Sequence, residues 1–324
     1  MKTALCLTPD RAFFCPAVCT AATILAQSDS DQFDVFVVCE EEDVAPGFDR
    51  LASDLRSRIR LLCTDFSAFD RGLRAEGRFS RAVFRRLFLD RALPAEYERI
   101  ISIDSDIWIA RPGLGRLAAF DFRGAPFAAA YDMIFLMDFA RNALSKQFKA
   151  DRAALGLDLA TPYFNAGVLA IDRRQWSSLA LGERVAASLR RSPERYPFLE
   201  QSALNEIIAG GFAPLSPRYN FMGDFLLLGL EAAFEPIALH FVNAPKPWQY
   251  EGWRGETRFA ENYRAWFAAS PWPELADDRG RLAGALSHKP RLTPQRRAFA
   301  ERLTAFLQTC AFIDGWRPSE RRGP

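Results

Sequence analysis

The sequence predicts an α/β protein with a mostly parallel central sheet flanked by helices and a helical C-terminal extension. Three observations predict it. Short β-branched runs alternate with helix-length patterns over residues 1–130, as in successive βαβ units. Runs such as Phe36-Val37-Val38-Cys39 are apolar at every position, as strands covered on both faces are. The chain of 324 residues is 49% hydrophobic and 25% charged, a globular mix long enough to bury a large core.

The elements follow in order. Thr3–Leu7 is a short apolar strand, and Cys15–Gln27 a helix apolar almost all round, hence buried. Phe36–Cys39 is the next strand. Asp49–Arg56 is helical and Ile59–Cys63 returns to strand. Phe79–Leu93 is helical; at 100° per residue it places Arg86 on the apolar side with Phe79, Val83 and Leu87. An inward arginine needs an anionic partner. Arg99–Ile103, Phe127–Tyr131, Val168–Ile171 and Ile237–Phe241 are further strands. Thr293-Pro294 starts a C-terminal helix, where Phe299, Leu303, Phe306, Leu307 and Cys310 recur at helical spacing beside Arg296, Arg297 and Arg302. Packing on the domain is the plain reading of that stripe; a basic face on an anionic membrane surface is the other.

Several function classes are excluded or disfavoured. Lys and Arg exceed Asp and Glu by only two, which gives no electrostatic case for nucleic acid. The surplus is local, since residues 276–324 carry five more basic than acidic groups. No apolar run reaches membrane-spanning length, and the N-terminus meets Pro9-Asp10 too soon for a signal peptide. The six cysteines form no Cys-x-x-Cys pair and read as reduced core thiols, hence a cytoplasmic protein. Neither a Gly-x-Gly-x-x-Gly after the first strand nor a P-loop is present.

In open α/β sheets, ligands bind beyond the carboxyl ends of the strands. Asp104-Ser105-Asp106 follows the strand Arg99–Ile103 directly, and alternate residues of an extended segment point the same way. Two carboxylates so placed repel unless a cation sits between them. The same tripeptide at Asp29-Ser30-Asp31 lies in a polar stretch and reads as a solvated turn or cap. His240 is the third ligand candidate. Two carboxylates with one imidazole suit Mn²⁺, with Mg²⁺ as second choice.

With these pieces placed, the chain resembles glycosyltransferase family 8, the retaining, metal-dependent family that includes glycogenin and bacterial lipopolysaccharide galactosyl- and glucosyltransferases. Five segments carry the likeness in order: Phe84-Arg85-Arg86-Leu87, Ile101 to Asp106, Tyr163 to Val168, Glu200 to Asn205, and His240 to Trp248. The resemblance implies a GT-A fold over residues 1–254; residues 255–324 lie outside it and read from their own pattern as a basic helical extension. It implies metal ligation by Asp104, Asp106 and His240, and a UDP-sugar donor, UDP-glucose or UDP-galactose. Lys246 and Asn243 would lie at the diphosphate, Asp10 and Phe13 at ribose and uracil, and Arg86, Asp132, Asn165 and Gly167 along the donor. Gln201 would sit under the anomeric carbon, with Glu200 as the alternative catalytic group. The implied reaction moves a hexose, with retention and front-face return, onto a saccharide or glycolipid acceptor of lipopolysaccharide type. Peripheral contact with the inner membrane surface would suit such an acceptor.

The chain departs from the family pattern at three places. Phe13 stands for a more usual tyrosine, Asn243 for glycine, and Glu200 and Ser202 for the two aspartates of the usual Asp-Gln-Asp triplet. The segment Phe135–Ala160 is expected to cover the donor and touch the acceptor, and Trp248, Trp253, Trp266 and Trp272 to shape the acceptor cleft. The rival readings are a nucleotidyltransferase, which usually has a glycine-rich basic turn that Leu7–Phe14 lacks, and an inactive sugar-nucleotide-binding protein.

Overall fold

A computed structural model describes residues 1–75, 79–242, 244–249, 257–276 and 292–318. Its strands are β1 (Lys2–Leu7), β2 (Asp34–Cys39), β3 (Ile59–Cys63), β4 (Tyr97–Ile103), β5 (Ile107–Ile109), β6 (Phe127–Tyr131), β7 (Phe164–Asp172), β8 (Ala213–Leu215), β9 (Phe221–Met222) and β10 (Ala238–His240). Seven of them form the main sheet in the order β3-β2-β1-β4-β7-β6-β8. All its pairings are parallel except the two made by β7, which runs against β4 and β6. A second sheet, β5-β10-β9, stands beside it. The continuous apolar runs have the expected cause: β1, β2 and β4 are buried at nearly every position.

Helices of ten or more described residues are α1 (Phe14–Leu25), α2 (Ala143–Ala154), α3 (Leu181–Arg191), α4 (Leu199–Ile208), α5 (Thr257–Ala268) and α6 (Pro294–Thr309). The predicted helix over 79–93 is instead a 3₁₀ helix, Arg81–Phe88, followed by one α-turn, Leu89–Ala92. With three residues per turn, Ser80, Val83 and Arg86 stack on one line, whereas Phe84 and Leu87 go into the core. The helical stretch expected over 49–56 is split into a 3₁₀ turn, Phe48–Arg50, and a short helix, Ser53–Arg58. Asp29 is no solvated turn residue: its Oδ2 accepts from the backbone N–H groups of Gly113 and Gly115 at 2.8 and 2.7 Å.

The C-terminal residues share the core of the rest. In α5, Tyr263 and Phe267 are fully buried; in α6, Leu303 and Leu307 are. Phe306 stacks on Phe139 at 4.5 Å, and Ile313 N–H donates to Pro214 O. The apolar face of α6 is therefore covered by protein and is not available to lipid. No helix among the described residues is long and apolar enough to cross a membrane. The six cysteines are free, and all but Cys63 are buried.

If α6 is part of the body it packs on, Leu303→Ala should lower the unfolding free energy by about 2–5 kcal/mol, read by denaturant titration of the whole chain. A change below about 0.5 kcal/mol would mean that α6 docks without contributing to the core.

Candidate active site

The sheet topology sets out the site before any side chain is considered. Because β7 is reversed, its first residues lie at the same edge as the last residues of β1, β4 and β6. Read across that edge, the strand ends present Asp10 and Phe13, then Asp104, then Asn165 and Gly167, then Asp132. The pairing of β6 with β7 breaks register between Ala129 and Tyr131, so the bulge falls at the residues around Asn165 to Gly167. These two residues lie inside the strand, not before it.

Asp104-Ser105-Asp106 is the link from the main sheet to the small one. Asp104 N–H donates to Gly167 O at 2.9 Å, and Phe241 N–H donates to Asp106 O at 3.0 Å. Pairing of β5 with β10 sets His240 opposite Ile107. Oxygens of Asp104 and Asp106 consequently lie 3.5 and 3.3 Å from His240 Nε2. The three ligand atoms all fall within 4.8 Å of one another.

Cations flank the two acids. Arg86 pairs with Asp104 and donates to Ala166 O, and its Nε lies 3.7 Å from Glu200. Lys246 Nζ sits 2.5 Å from Asp106 Oδ2 and donates to Phe241 O. Burial alone would raise the Asp106 carboxyl; Lys246 and His240 beside it hold it well below the ordinary carboxylate range. Glu200 shows the opposite balance. Its burial outweighs Arg86 and pushes it up to about 7, so it keeps its proton to higher pH than an ordinary glutamate.

The imidazole is oriented from behind. His240 Nδ1 lies 2.7 Å from Asn220 Oδ1, which fixes the ring with Nε2 facing the two aspartates. Asn220 Nδ2 donates to Asn165 Oδ1, and Asn165 Nδ2 donates to Asp132 Oδ2, at 2.8 and 2.7 Å. Gln201 Nε2 donates to the same Asp132 oxygen, while its Oε1 accepts from Ala166 N–H at 2.9 Å. Asp132 also caps the short helix Met133–Leu136 through Ile134 N–H. Gly167 is required by contact: a Cβ there would lie 2.3 Å from the His240 ring.

One cavity of about 590 Å³ holds Asp10, Phe13, Arg86, Asp104, Asp106, Asp132, Asn165, Gly167, Glu200, Gln201, His240 and Lys246. Asp10 accepts from Phe13 N–H at the start of α1, and the Phe13 ring, half-buried, meets Trp248 edge-on. Asn243 and Trp253 lie outside the described residues. None of Trp248, Trp266 and Trp272 lines the cavity; Trp272 is buried against Phe14 and donates to Pro46 O. The segment expected as a loop over 135–160 is largely helical, and it does line the cavity, through Met137, Leu144 and Phe148. Asn220 is the one member of the hydrogen-bonded set that the sequence did not mark. A lone asparagine before a two-residue strand has no spacing signature.

A family model, glycosyl transferase family 8, matches residues 2–252. Lipopolysaccharide 1,2-glucosyltransferase of Escherichia coli (strain K12) is 24% identical over 208 residues, 60% of this chain and 56% of that protein. Glycosyltransferase GlyE of Streptococcus pneumoniae serotype 4 is 25% identical over 125 residues, 36% of this chain and 29% of that one. The chain thus spans about half or less of the length of these relatives. Galactosyltransferase LgtC, solved with donor and acceptor sugar analogues, superposes with a TM-score of 0.63 at 18% identity, over 88% of this chain and 98% of that one. The bifunctional glycosyltransferase WbbM gives 0.66 at 17%, over 86% and 52%. The shared architecture is the GT-A fold.

Two outcomes test this geometry. Asn220→Ala frees the His240 ring, so if the Asp104, Asp106 and His240 cluster holds a divalent ion, its affinity measured by calorimetry with Mn²⁺ and Mg²⁺ should fall about 10–100-fold with the fold intact. The raised Glu200 carboxyl binds its proton more tightly in the folded than in the unfolded chain, so wild-type stability should fall as pH rises from the ordinary glutamate range toward 7, then level off. Glu200→Gln should flatten that fall in melting temperature; an unchanged profile would assign it to another group.

Proposed function

The chain belongs to glycosyltransferase family 8, and on that premise we propose that it is a retaining hexosyltransferase. It moves glucose or galactose from UDP-glucose or UDP-galactose to a saccharide or glycolipid acceptor. The observation that carries this reading is the convergence of Asp104, Asp106 and His240 in one cavity with the amide set Asp132, Asn165 and Gln201.

The donor set fits a divalent ion. It offers two carboxylates and an imidazole whose Nε2 is turned toward them by Asn220. Mn²⁺ held by Asp104, Asp106 and His240, with Mg²⁺ as an alternative, supplies a Lewis acid for the diphosphate leaving group. The protein adds its own charge at that end. Lys246 and Arg86 are fixed beside the two acids, where a diphosphate meets preorganised cations. Asn243 is assigned to the same end by its place in the sequence. Asp10 and Phe13 take ribose and uracil at the β1 end of the cavity.

Asp132 and Asn165 hold hydroxyls of the donor sugar, with Gly167 letting the backbone come close. Gln201 is anchored through both ends of its amide, and its oxygen retains a second lone pair for the positive charge that develops at the anomeric carbon. Gln201, an amide with no carboxylate to offer, favours front-face return, with a covalent intermediate on Glu200 as the alternative. The buried free thiols support a reducing compartment, hence the cytoplasm.

The test is UDP release from a panel of UDP-sugars with Mn²⁺ or with EDTA. One donor should turn over, and EDTA or Asp106→Ala should each reduce the rate by about 100-fold or more. If no donor is turned over and calorimetry finds no Mn²⁺-dependent UDP binding, the inactive-binding-protein reading and this one both fail. Binding of UDP without turnover of any donor, acceptors included, would leave a binding protein.

A further inference from the structure

The cavity has two chemically different ends. Three segments enter it, each with a polar residue of the proposed donor site at one end. The 3₁₀ helix brings Arg86, the segment after β6 brings Asp132, and α4 brings Glu200 and Gln201. Beyond those residues all three turn apolar. Of the ten cavity-lining residues from 79–83, 133–148 and 198, nine are apolar and only Ser80 carries a side-chain hydroxyl.

The arrangement is built by local geometry. Val83 stands one 3₁₀ turn before Arg86, on the same line. Ile134 and Met137 follow the capping Asp132, and Phe198 precedes Glu200 by two residues. Leu144 and Phe148 are four apart on α2, hence on one helix face. Leu144 is 47% exposed, and it lies at the cavity rather than scattered on the outer surface. The part of this wall from 133–148 follows β6, whereas the part from 79–83 leads into Arg85, which donates to Pro9 O just after β1.

A saccharide laid against such a wall would strip water from hydroxyls and give them almost no partners, which is unfavourable. Aromatic rings stack on the C–H face of a sugar, and Phe79, Phe148 and Phe198 in this wall are such rings. Val83, Ile134, Met137 and Leu144 are not; they match methylene chains. We infer that the acceptor is amphiphilic: its attacking hydroxyl meets the polar end, and an apolar alkyl or acyl portion runs along Val83, Ile134, Met137, Leu144, Phe148 and Phe198. This rests on the transferase reading above and selects the glycolipid over the plain saccharide.

Matched glycosides test it. Methyl and octyl β-glucosides and β-galactosides, held below micelle-forming concentrations, are titrated into the protein with UDP and Mn²⁺ by calorimetry. They are also offered as acceptors to UDP-glucose and UDP-galactose. The octyl glycoside should bind at least about 10-fold more tightly than its methyl partner, the effect of covering about two methylenes, and kcat/KM should follow. Leu144→Gln with Phe148→Gln should bring the octyl-to-methyl ratio toward one. Leu144→Gln alone, at a half-exposed position that the fold tolerates, should move it part of the way.

Equal binding of the two glycosides, binding of neither, or a ratio unchanged in both variants would overturn the proposal, even with donor turnover intact. An octyl preference that the variants abolish, in a protein that turns over no donor, would keep the apolar subsite and overturn the transferase reading instead.

Discussion

Two carboxylates forced together at the join of two sheets are the constraint on which the site depends. Asp104 is pinned to Gly167 in the main sheet and Asp106 to Phe241 beside the small one, so neither acid can retreat from the other. The repulsion is answered by Arg86 and Lys246, which come from segments 160 residues apart in sequence. Removing Lys246 leaves the buried Asp106, and removing Arg86 the partly exposed Asp104, short of its partner.

Hydrogen bonds extend that constraint across the cavity. The run from His240 through Asn220 and Asn165 to Asp132 leaves each amide with its oxygen and nitrogen assigned, and Gln201 joins it at Asp132. Asn165 Oδ1 also accepts from Gly167 N–H, so the backbone that holds Asp104 is tied to the same set. A shift at the imidazole is thereby felt at Asp132. Fully partnered polar networks of this kind are rigid because every alternative orientation leaves a buried group unpaired.

Much of this was legible in the sequence because strand ends announce themselves. A β-branched run followed at once by Asp104-Ser105-Asp106 has a periodicity, a position and a charge pattern that physics reads directly. His240 and Lys246 were found by resemblance as much as by chemistry, since a lone histidine in an apolar run is more often core. Asn220 was not legible: it acts through a partner 20 residues away and belongs to no repeat. The helix through Arg86 was placed correctly but given the wrong pitch, because seven or eight residues do not separate a period of 3.6 from one of 3.0. The Asp29 tripeptide was read as solvated because its partners, Gly113 and Gly115, lie far along the chain. Trp272 faces the core and Trp253 lies outside the described residues: composition does not say which aromatic faces a cleft and which faces the core.

The reversal of β7 divides the labour of the molecule in a way that bears on how such a chain can diversify. Asp104, Asn165, Gly167 and His240 sit in strands or at their ends, so an insertion there would break sheet register. The apolar wall is carried by the connections that leave the sheet, chiefly residues 133–154, whose length and sequence no strand pairing dictates. Change can therefore accumulate on one bank of the cleft while the other stays fixed. On the proposed reading, such a plan exchanges acceptors more readily than it alters the bond it makes.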